Sequence, residues 1–219
     1  MKYIDCNLIV SFFKVLNDSG LRYMLIRNTG GELPDRLQDG KDIDILIHHE
    51  DKEAFMVFMR QENFQRKIPP FGKLAGWNLA YQMHDFLFYK KKDSSYQFYV
   101  DVCQELCCHS TMPNVWIPLD KKIQEDAWEY RWFDKEKGWW SLDERTSFIA
   151  YLVKAVFDKK QFNAGYIESI KSRRCLLDDA MKRERLELIF FKYTDRLIEM
   201  LKREAFDKIV ADYYGYRNY

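Results

Sequence analysis

The sequence predicts an α+β fold: a mixed sheet flanked by helices, followed by a helical C-terminal region. Three observations carry this. Short segments with strand character lie at residues 23–26, 41–47 and 96–102. Helix-period apolar residues surround them, at Leu8, Ile9, Phe12, Phe13, Val15 and Leu16, and again at Ala54, Phe55, Val57, Phe58 and Met59. From Ser141 onward the pattern is helical almost throughout, beginning with Phe148, Ile149, Leu152, Val153, Val156 and Phe157.

Composition bounds the possibilities. A chain of 219 residues, 47% hydrophobic and 16% aromatic, can build a core for one domain or two small ones. The formal charge of +1 gives no basic excess, so neither a nucleic-acid template nor a membrane surface is expected as a partner. No apolar run reaches the roughly 20 residues that span a bilayer. Asp5 and Asn7 interrupt what would be a signal peptide's apolar part. Five cysteines without a regular framework fit a reducing cytoplasm.

Taken in order, residues 5–18 read as an amphipathic helix that stops at Gly20. Tyr23, Met24, Leu25 and Ile26 then form a buried strand. A polar loop with Pro34 and Gly40 leads to Lys41-Asp42-Ile43-Asp44-Ile45-Leu46-Ile47. Strand side chains alternate between faces, so Ile43, Ile45 and Ile47 point one way and Asp42 and Asp44 the other. Two adjacent carboxylates repel, and a divalent cation offsets that repulsion. His48 and His49 read as solvent-facing strand-end residues rather than metal ligands. Asp51 is the expected N-cap of a helix over 52–62. Residues 64–67 form a short strand. Pro69 and Pro70 break the chain, and Lys73 lies either in a surface loop or near a phosphate.

Residues 84–90 and 96–103 read as a hairpin with a polar turn. Its first arm holds His84 and Asp85, an edge residue or a fourth carboxylate. Its second arm delivers Asp101 between Val100 and Val102, where Asp is disfavoured. If this arm lies beside the Asp42 strand, three carboxylates converge as ligands for Mg²⁺ or Mn²⁺. Glu105 is a candidate general base. Cys103, Cys107, Cys108 and His109 lack the second pair a zinc site usually has and read as buried thiols. Trp116, Trp128, Trp132, Trp139 and Trp140 crowd residues 113–140, where they either seal a junction or stack a ligand, the former being favoured. Ser141 with Glu144 suggests a capping box. The expected division is 1–112, a connector at 113–140, and a helical domain at 141–219.

An apolar strand, a small-residue turn, about ten residues of loop, Asp-apolar-Asp and a later Asp in a strand resemble the nucleotidyltransferase superfold. Polymerase-β-like enzymes and antibiotic nucleotidyltransferases share that fold. Arg27-Asn28 and the Gly-Lys-Asp-Ile-Asp run look like bacterial nucleotidyltransferase-like proteins often found with surface-polysaccharide genes. The family usually places Gly then Gly or Ser directly after the strand; here Gly30 and Gly31 come later. The resemblance covers the first half of the chain. It implies an enzyme that moves a nucleotide from an NTP to an acceptor, with Asp42, Asp44 and Asp101 holding the metal. It further implies that Arg27, Asn28, Thr29, Gly30 and Lys41 bind the triphosphate, with Lys154 within reach from a C-terminal helix. Three readings stay open: transfer to a small molecule (a sugar, sugar phosphate or antibiotic-like hydroxyl), transfer to a protein, or a non-catalytic module.

Overall fold

Two apolar cores, one on each face of a mixed sheet, organise the chain in a computed structural model. It describes residues 2–28, 31–66, 86–91, 97–110 and 116–217. Thr29, Gly30, Lys73, His84 and Asp85 lie outside these residues. Helix α1 (Cys6–Asp18) leads into β1 (Tyr23–Leu25) and β2 (Asp42–Ile47). Helix α2 (Lys52–Gln61) and β3 (Gln65–Arg66) follow, then the hairpin of β4 (Phe86–Lys91) and β5 (Gln97–Cys103). The order among described strands is β3-β4-β5-β2-β1-β9-β8, where β8 is Trp132–Asp134 and β9 is Trp139–Ser141. Strands β2 and β5 run parallel, as do β1 and β9; the other neighbours are antiparallel. A separate pair, β6 (Cys107–His109) and β7 (Trp116–Pro118), precedes α3 (Lys121–Glu129).

Strand alternation sorts the two cores. Tyr23, Leu25, Ile43, Ile45, Ile47, Val100 and Val102 pack beneath α1 and α2, with Phe12, Phe13, Phe55 and Phe58. Met24 and Leu46 face the other side, where α4 (Glu144–Val153) and the helices after it cover them. Those helices are α5 (Ala164–Lys171), α6 (Ala180–Phe190), α7 (Thr194–Lys202) and α8 (Phe206–Gly215). Among the described residues no helix is long and apolar enough to cross a membrane.

The tryptophans in residues 113–140 divide their work. Trp139 is buried against Phe13, 4.8 Å between ring centres. Arg131 stacks on Trp140 at 4.5 Å and on Trp128 at 5.3 Å, and donates to the Tyr23 carbonyl at 3.1 Å. This stretch therefore supplies the β8–β9 edge of the sheet and pins it to β1. Asn17 ties the same edge to α1, donating to the Gly138 carbonyl and accepting from the Tyr23 hydroxyl.

Two caps differ from expectation. Helix α4 starts at Glu144 with Asp143 as its N-cap, accepting from the amides of Arg145 and Thr146; Ser141 belongs to β9. Asp51 makes no side-chain cap on α2 and instead takes the Arg22 guanidinium, with the nearest contact at 2.8 Å. Arg22 holds the Asp51 carboxylate through its Nε, Nη2 and backbone amide, a multidentate pairing in place of a single cap bond.

Candidate metal centre

Strand register brings the aspartates together. In the parallel pair β2–β5, Asp44 sits directly opposite Asp101, and Asp42 is one alternation back on the same face. Each of the three offers a carboxylate oxygen within 4.8 Å of the others. Like charges placed opposite each other destabilise a sheet. At that separation two unit charges repel by roughly 3.5 kcal/mol at an effective dielectric near 20. A chain that places them so must supply positive charge.

The structure supplies two side-chain cations. Arg27 follows β1, whose ladder is extended by the Ile26 amide donating to the Asp44 carbonyl at 3.1 Å. Its guanidinium pairs with Asp44 and lies 3.8 Å from Asp101. The Arg27 Nε is buried without a hydrogen-bond partner among the described residues. The second cation is Lys154, in a π-helical turn at Lys154–Asp158. Such turns recur at functional sites. Lys154 pairs with Asp158 at 2.5 Å and lies over the Trp116 ring at 4.8 Å. Arg27, Asp44, Asp101 and Lys154 line one narrow cleft with about 40 Å³ of water-accessible space, together with Glu105, Cys103, Cys107 and the apolar Ile26, Leu119 and Val153.

These charges shift one another. Burial pushes the Asp44 carboxyl up to about 7; Arg27 pulls it down, while Asp42 and Asp101 add to the rise. Burial raises Asp101 as well, opposed by Arg27. Burial disfavours the Arg27 cation, but Asp44 and Asp101 more than offset that and its pKa rises. For Lys154, burial and Arg27 work against the charge, Asp158 restores it, and the net shift is upward.

Asn28 has a structural task. Its φ of 64° lies in the left-handed region, which Asn tolerates better than most residues. Its amide donates to the Asp42 carbonyl at 3.1 Å and accepts from the Asp44 amide at 3.0 Å. The side chain thus continues the β1–β2 ladder and holds both aspartates in place; it is engaged with the strand rather than turned to a ligand. Lys41 is exposed and is not among the residues lining the cleft.

The other described sequence candidates make no second ligand set, although Cys103 and Cys107 line the cleft. Among the described residues, the cysteines and His109 form no group of three within ligand reach. The Cys103 thiol donates to the Ile45 carbonyl. His48 is partly buried, edge-on to Trp128, and accepts from the Glu50 amide, whereas His49 is exposed. Asp158 was not singled out from sequence, although its spacing from Lys154, four residues on a helix, is the signal for such a pair.

No protein-family model matches the chain, and no curated protein matches it. The donor set itself tests the fit to a metal. Three carboxylates offer only hard oxygen ligands, the set that Mg²⁺ and Mn²⁺ take together with water and phosphate oxygens.

Proposed function

We propose that this protein is a nucleotidyltransferase that uses Mg²⁺ or Mn²⁺ to move an NMP group from an NTP to a small-molecule hydroxyl. One observation carries the reading: Asp44 and Asp101 face each other across β2–β5, with Asp42 beside them, at a cleft that also holds Arg27 and Lys154. Asp44, Asp101, Arg27 and Lys154 around one cleft, with Asp42 within ligand reach of both acids, suit a ligand that carries phosphates and a divalent cation together.

Within this reading Asp42, Asp44 and Asp101 would hold the cation, which would supply charge neutralisation for an in-line displacement at phosphorus. Lys154 and Arg27 bind phosphate oxygens. The acceptor hydroxyl oxygen bonds to the α-phosphorus and the bond to the bridging oxygen breaks. Pyrophosphate leaves, and the hydroxyl proton passes to water. The apolar wall of Ile26, Leu119 and Val153 limits water around the reacting groups.

A second reading, a non-catalytic module of the same fold, is favoured by one observation: Arg27 lies across two of the three carboxylates. Incubation with α-labelled NTPs, Mg²⁺ and a panel of sugars, sugar phosphates and aminoglycosides separates the two. Label on an acceptor, with equimolar pyrophosphate, supports the enzyme. Nucleotide binding without transfer to any acceptor class, proteins included, supports the module.

A further inference from the structure

Arg27 and a divalent cation claim the same carboxylate. The guanidinium pairs with Asp44 and reaches Asp101 at 3.8 Å, while the oxygens of Asp42, Asp44 and Asp101 that would ligate a metal lie within 4.8 Å of one another. Positive charge cannot be added to this cluster without repelling Arg27, because Asp44 is only 6% exposed and solvent screens the pair weakly.

The geometry points to Arg27 as an internal counter-ion that couples metal and phosphate binding. Metal alone must displace the guanidinium from Asp44 and leave it without a partner in a half-closed cleft. A metal chelated by a polyphosphate brings both halves of the exchange: the cation takes the carboxylates and a phosphate oxygen takes Arg27. The site therefore selects the metal–polyphosphate chelate as one ligand and discriminates against the free ion. This is a coupling between two ligands through one shared side chain, and it is reciprocal. The inference rests on the metal-centre reading above, and its test separates the two.

The experiment is Mn²⁺ titration followed by electron paramagnetic resonance at pH 8, with and without a non-hydrolysable ATP analogue, on wild type and Arg27→Gln. Wild type is expected to bind free Mn²⁺ weakly and to gain at least tenfold in affinity with the nucleotide. Arg27→Gln is expected to bind free Mn²⁺ at least tenfold more tightly than wild type, and to gain several-fold less from the nucleotide. If Arg27→Gln binds free Mn²⁺ no better than wild type, while wild type does bind the ion, the counter-ion role is overturned and the metal centre stands. If neither protein binds Mn²⁺ under either condition, the metal centre falls and this inference with it. Should Arg27→Gln fail to fold, Arg27→Lys carries the test. Its shorter ammonium cannot bridge Asp44 and Asp101, so free Mn²⁺ binds more tightly than in wild type by a smaller factor; equal or weaker binding overturns the proposal.

Discussion

Replacing Asp44 by Asn should stabilise the metal-free protein, and the gain should depend on pH in a defined way. Asp44 is buried opposite Asp101, and its carboxyl is pushed up to about 7, against 3.8 in an unfolded chain. Between these values the folded state holds a proton that the unfolded state has released. Wild-type stability therefore falls as pH rises from about 4 to about 7, and stays lowered above that. A shift of about three units at about 1.4 kcal/mol each bounds the penalty near 4 kcal/mol. Asn keeps an oxygen for Arg27 but loses the ion pair, and Arg27 retains Asp101 at 3.8 Å. The expected net gain is about 2 kcal/mol at pH 8, vanishing near pH 4. Urea unfolding in EDTA at both pH values measures it, as an upward midpoint shift of about 0.7 M at pH 8 for a slope near 3 kcal/mol/M. If Asp44→Asn is instead less stable than wild type at pH 8, the Arg27 pairing outweighs burial and the reasoning from desolvation is refuted.

Three further outcomes follow from groups elsewhere. Lys182 is 1% exposed, its ammonium lies 3.3 Å from the centre of the Phe148 ring, and it has no hydrogen-bond partner among the described residues. Burial lowers it to about 7, so stability should rise with pH between about 7 and 10.5; Lys182→Met should gain about 1–3 kcal/mol at neutral pH and lose that rise in thermal melts. Asp143→Ala should cost about 1 kcal/mol in urea unfolding through loss of the α4 cap. The Arg22 contact lowers Asp51 to about 2, a contribution present above about pH 4 and lost as pH falls toward 2; Asp51→Asn should flatten that part of the acid limb of an unfolding curve.

The sheet was legible because alternation was strong where it mattered. Ile43, Ile45 and Ile47 face one core and Asp42 and Asp44 the opposite face, as the period of two requires. Asp101 could be tied to them only conditionally: a sequence names strands but not which strands lie side by side, and the β2–β5 register is set by packing far apart in the chain. The same blindness hid the β8–β9 edge, whose three-residue strands are too short for a period to show, although its tryptophans read in favour of a seal over a stacking surface. Caps were misread where a local rule met a distant partner, as when Arg22 takes Asp51. Asn28 was visible as a residue of the turn, but its hold on both ends of the Asp-Ile-Asp run needed coordinates. Lys154 was legible as a cation on a helix, and only the π-helical turn and Asp158 show that it is held at the cleft.

We propose that Asp42, Asp44 and Asp101 hold a metal-bound nucleotide. Calorimetric titration of each NTP into wild type, Asp42→Asn and Asp44→Asn, with Mg²⁺ and with EDTA, tests it most directly. At least one NTP should bind wild type only with Mg²⁺, and each substitution should abolish this binding while circular dichroism shows the fold intact. Nucleotide binding that persists in both variants, or in EDTA, would contradict it.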